Sequence, residues 1–83
     1  MASREGVDIN RVMAIARCES RLRAGAIGDH GRSYGVFQIH LPSHPTISKE
    51  QALNPFFNIG WSIDNMAKGR WSMWSCDKLT HAA

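Results

Sequence analysis

Between Asp8 and about Ser20 the apolar residues Ile9, Val12, Met13 and Ala16 recur at helical spacing, with Asp8 placed to cap the start, so the pattern predicts a first helix. From Arg21 to Ser33 the pattern dissolves. Gly25, Gly28 and Gly31 fall here and predict a loop whose tightest part is Gly28-Asp29-His30-Gly31. Tyr34 to His40 then reads as a short extended segment, Tyr34, Val36 and Gln38 on one side and Phe37 and Ile39 on the other. A short buried helical turn is the alternative.

Pro42 and Pro45 keep the following residues irregular, and Ser48 with Gln51 has the spacing of a capping box for one or two helical turns. Asn54 caps a second long helix with Pro55 at its first position. Phe56, Ile59, Ile63, Met66 and Ala67 form its apolar face, and Gly69 ends it. The remainder, Arg70-Trp-Ser-Met-Trp-Ser-Cys76, is dense in aromatics. The fold class expected is mainly α, an α+β arrangement of a small helical domain with a short extended segment.

The 83 residues make a single domain, 1–83, close to the size at which one apolar core barely outweighs chain entropy. A bridge between Cys18 and Cys76 is the obvious supplement and would place the protein in an oxidising compartment; two buried free thiols are the alternative. The N-terminal Met-Ala-Ser-Arg-Glu lacks the apolar core of a secretion signal, and no stretch has the length of a membrane span.

Ten Lys and Arg against seven Asp and Glu give a net charge of +3, which suits an anionic polymer. Arg17, Arg21 and Arg23 cluster, but no aromatic-interleaved basic tract accompanies them, so a solvated helix end is expected rather than a nucleic-acid surface. His40 and His44 are interrupted by Pro42, and no Cys-x-x-Cys spacing is present, so neither metal nor cofactor is expected.

Glu19 follows Ile15 by four residues and Ala16 by three, which puts its carboxyl at the edge of the first helix's apolar stripe. Partial desolvation there raises a carboxyl pKa, the property of a general acid near neutral pH. A surface ion pair with Arg23 is the plainer alternative.

Three elements in order then carry a resemblance. Cys18-Glu19-Ser20, a glycine-bearing loop and Ser33-Tyr-Gly-Val-Phe-Gln-Ile39 resemble the Glu-Ser and Gly-Leu-Met/Phe-Gln-Ile elements of the lysozyme and soluble lytic transglycosylase superfamily. Leu53-Asn-Pro-Phe-Phe-Asn-Ile59 is similar to the Asp/Asn-Pro-x-x-Asn-Ile element of those transglycosylases. The Ala-Tyr-Asn-x-Gly element that many of them carry late in the chain has no match here.

The resemblance implies a lysozyme-like fold that cleaves the glycan strands of bacterial peptidoglycan, with Glu19 as catalytic acid. It also implies that Ser20 supports the site and that Gln38 sits in the sugar-binding groove. In animal-type lysozymes a second carboxylate precedes the Tyr-Gly of this segment; Ser33 holds that place here. That favours the lytic transglycosylase route, in which one Glu protonates the glycosidic oxygen and then takes the proton of the substrate's own hydroxyl as an anhydro ring closes. Asp29 is the candidate second carboxylate for a water-using muramidase like the goose-type lysozymes, and it serves equally well to shape its turn. Tyr34 and Trp71 are the aromatics expected in the groove with Ser33, although each aromatic of so small a domain also suits the core. A wall-binding module that keeps the fold without catalysis is the third reading. Small bacterial and phage members tie the catalytic helix to the C-terminal segment, which fits Cys18 and Cys76. The implied partner is peptidoglycan, met outside the cell, in the periplasm or from a virion, by a monomer or a part of a larger protein or particle.

Overall fold

The computed structural model describes residues 7–81, so the N-terminal stretch examined for a secretion signal lies outside the described residues. Helix α1 runs Ile9–Ser20 and starts where expected: the Asp8 carboxylate accepts from the backbone N–H groups of Asn10 and Arg11, two donors that a helix leaves unpaired. It ends at Arg21, whose φ of 56° turns the chain into the left-handed region while its N–H donates to the Arg17 carbonyl.

The loop that follows holds more order than its glycines suggest. Strand β1, Ile27–Gly28, pairs antiparallel with β2, Ser33–Tyr34, and β2 with β3, Ile39–His40, so three two-residue strands form a small sheet in chain order. The segment Tyr34 to His40 is therefore not one extended strand. It is a strand, a tight turn and a second strand, because Gly35 adopts φ 84° and Gln38 φ 51°. The turn puts Val36 and Phe37 together into the core instead of on opposite faces.

What forces the turn is Asn58, fully buried on a helix twenty residues further on. Its side-chain amide donates to the carbonyls of Tyr34 and Ala52 at 2.9 and 2.8 Å, and its oxygen accepts from the Phe37 N–H at 2.9 Å. Only glycine fits the space left at position 35, where a Cβ would sit 2.3 Å from both the Ala52 carbonyl oxygen and the Asn58 side-chain nitrogen. Gly35→Ala is accordingly expected to cost about 3 kcal/mol, from the left-handed backbone and the overpacking together. Urea denaturation measures this, and a loss below about 0.5 kcal/mol, the range of indifferent surface changes, would show that the turn yields.

Helix α2, Lys49–Leu53, carries the expected capping box, Ser48 and Gln51 each satisfying the other's backbone N–H. Helix α3, Pro55–Ala67, opens on the Asn54 cap with Pro55 in its first turn, and Gly69 at φ 80° follows its end. A 3-10 turn at Trp71–Met73 leads into α4, Ser75–His81, a helix that the aromatic-rich composition of this region did not predict.

The main core gathers Val12, Ile15 and Ala16 of α1, Val36 and Phe37 of the turn, Ile63 and Met66 of α3, and Trp74. A smaller one holds Tyr34, Ile39 and Ala52, and Trp61 packs against both. Cys18 and Cys76 are bridged, their Cα atoms 5.9 Å apart across 58 residues of sequence, which ties α4 to α1. Arg11 adds a bidentate ion pair with Asp77, both contacts 2.7 Å.

Candidate active site

Glu19 occupies the last turn of α1, one residue before the helix stops and one after the bridged Cys18. Its carboxyl is half-buried in the wall of a cavity of about 510 Å³, lined also by Ser20, Arg21, Arg23, Gly28 and Gln38. The helix, the β1 loop and the turn after β2 thus meet at one place.

Burial raises the Glu19 pKa above the ordinary glutamate range. The backbone N–H of Cys76, donated to the carboxylate, opposes that rise, and the negative charge of Asp29 adds to it. The hydrogen bond has a second consequence: α4 holds the carboxyl in place through the same residue that forms the disulfide.

Ser20 is buried and its hydroxyl donates to the Val36 carbonyl at 2.6 Å, so it fastens the end of α1 to the turn that carries Gln38. The helix is capped by the next residue, Arg21. Gln38 is fixed by two bonds from its side-chain nitrogen, to the carbonyls of Ala26 at 3.1 Å and Gly35 at 2.9 Å. Its oxygen lies close to Gly28, where a Cβ would come within 2.4 Å of it, so a side chain on β1 at that position would push the end of Gln38 aside.

Asp29 stands at the tip of the β1–β2 turn with φ 51°, and its carboxylate accepts a hydrogen bond from the Ser33 hydroxyl at 2.5 Å. It shapes that turn, as the sequence allowed, and its field also reaches Glu19. Ser33 itself is buried beneath it. Tyr34 is buried as well, its hydroxyl donating to the Gly31 carbonyl and Lys49 lying over its ring, so it forms the floor of the hairpin instead of an open face for a sugar.

Trp71 is not brought to this cavity. The Arg11 guanidinium stacks 3.8 Å from its ring centroid beside Asp77, in a separate hollow at the foot of α4, because the Arg11–Asp77 pair draws the aromatic there. Trp61 and Trp74 are the tryptophans of the neighbouring cavity. That cavity, of about 320 Å³, is lined also by His44 and Met73, and Gln38 belongs to the walls of both cavities. His44 packs edge-on against Trp61 with centroids 4.8 Å apart, and the His40 ring shares a hydrogen bond with Ser43.

Four participants escaped the sequence. Arg21 and Arg23 belong to the cavity wall as well as to the solvated end of the helix; their nearness to Glu19 in sequence was the available signal. Trp61 reads as one more apolar position of α3. The Cys76 N–H carries no sequence signal at all, since only the docking of α4 aims it. The family models, the curated proteins and the solved structures compared with this chain include none that matches it.

Proposed function

We propose that the protein is a peptidoglycan-cleaving enzyme of lysozyme-like fold, which cuts glycan strands between N-acetylmuramic acid and N-acetylglucosamine by lytic transglycosylation. Glu19 is its acid and base. The observation that carries this reading is the half-buried Glu19 carboxyl, raised in pKa and held by a backbone N–H, in the wall of a cavity that shares Gln38 with a neighbouring aromatic one. A carboxyl so placed keeps its proton closer to neutral pH than a solvated one, donates it to the glycosidic oxygen as the bond breaks, and as carboxylate takes a proton from the substrate's own hydroxyl while the anhydro ring closes.

Two neighbouring cavities with Gln38 in common suit a linear polymer, and the resemblance in the Glu-Ser, Gly-x-x-Gln-Ile and Asn-Pro-x-x-Asn-Ile elements names peptidoglycan as that polymer. The disulfide suits work outside a reducing cytosol, in the periplasm, the medium or a virion. Among the described residues no helix is long and apolar enough to cross a membrane.

Hydrolysis is the second reading, favoured by one observation: Asp29 lies near enough to act on the Glu19 charge, where a carboxylate could activate water. Mass spectrometry of the soluble products from defined glycan strands decides. Anhydro ends are expected, reducing ends would transfer the role of base to Asp29, and intact strands bound to the protein would leave a wall-binding module.

A further inference from the structure

We infer that Arg21 and Arg23 form a recognition site for a carboxylate on the peptide branches of the glycan strand, beside the sugar-cleaving cavity. The identity of the polymer rests on the function proposed above; the charge recognised does not.

Both arginines line the cavity that contains Glu19, and among the described residues neither guanidinium is held by a carboxylate. Leu22 between them turns instead to an apolar groove with Val12 and Ile59. This division depends on an unusual backbone, since Arg21 and Leu22 both lie in the left-handed region at φ 56° and 65°. An arginine thus stands where the backbone favours glycine or asparagine.

Among the described residues neither cation has a carboxylate partner, and neither is among the groups that shift the Glu19 pKa, so the acid chemistry does not use them. An anion supplied by the substrate would neutralise them. The sugar backbone carries no charge while its lactyl groups are amide-linked to peptide, whereas the peptide branches end in carboxylates, which match the planar fork of a guanidinium.

The test uses the Glu19→Gln protein, so that strands are bound without being cut, and measures its affinity for three preparations. These are strands with free branch carboxylates, strands with the same branches amidated, and strands stripped of branches by an amidase whose newly exposed lactyl carboxylates are then amidated. The free carboxylates are expected to bind about tenfold more tightly than either of the others, the worth of a charge-assisted pair. Arg21→Asn, which suits the left-handed backbone, and Arg23→Gln should remove this preference, and Arg23→Lys should keep part of it. Equal affinity for all three preparations overturns the inference, as does a preference that survives Arg21→Asn with Arg23→Gln. Equal affinity for free and amidated branches with weaker binding of stripped strands overturns it too, since peptide and not charge would then be read. Cleavage by the unsubstituted protein is followed separately: carboxylate-dependent binding without any cleavage supports the arginine site and rejects the enzyme.

Discussion

Glu19→Gln is expected to lower the rate of glycan cleavage by about 10³-fold, within the range that a positioned general acid contributes, or roughly 4 kcal/mol of barrier. The same variant should be no less stable than the parent at neutral pH. The sign follows from the direction of the pKa shift. The folded state binds the Glu19 proton more tightly than the unfolded chain does, chiefly through burial, so the stabilisation is fully present below the unfolded carboxyl pKa. It is lost as pH rises through the folded value.

Near neutrality the native protein therefore bears the cost of a desolvated charge that an uncharged glutamine does not carry. Glutamine also keeps an oxygen to accept the Cys76 N–H. Melting curves over pH 4 to 8 should place the variant progressively above the parent toward the alkaline end, while turnover of the parent falls as Glu19 ionises. Loss of activity accompanied by loss of stability would mean that Glu19 is a structural residue. Retained activity would move the chemistry to another group.

The parts of this fold legible in the sequence are those set by neighbours along the chain. Asp8, Ser48 and Asn54 each cap a helix by bonds that span two or three residues, and Gly69 stops α3 for an equally local reason. Glu19 was legible too, because its burial follows from its angle on α1. Misread features depend on distant partners. The alternation from Tyr34 to Ile39 is that of a strand, and it is Asn58, from another helix, that folds it into a turn. Trp71 has the composition of a sugar-stacking residue, and only the pairing of Arg11 with Asp77, 66 residues apart, shows why it lies elsewhere. The left-handed pair Arg21 and Leu22 has no glycine to announce it.

One of those distant contacts, Arg11 with Asp77, holds the C-terminal helix, and there the second large effect is expected. Removing the Cys18–Cys76 bridge by paired substitution with serine should cost roughly 4 kcal/mol by loop closure, and lower the melting temperature by about 15–30 °C in so short a chain. Cys18 is exposed, so a dithiol reductant can reach the bridge in the folded protein, passing two electrons and two protons to it. Arg11 and Asp77 still clamp α4 two turns back along α1, with the Arg11 guanidinium held more firmly protonated by that hydrogen bond, so local release can precede unfolding. Release near Cys76 withdraws the N–H that orients Glu19. Turnover should therefore fall on reduction at temperatures where circular dichroism still reports a folded chain, and it should return on reoxidation. If mass spectrometry shows both thiols reduced while turnover is unchanged, the Cys76 hydrogen bond does not position the acid, and the bridge acts on stability alone.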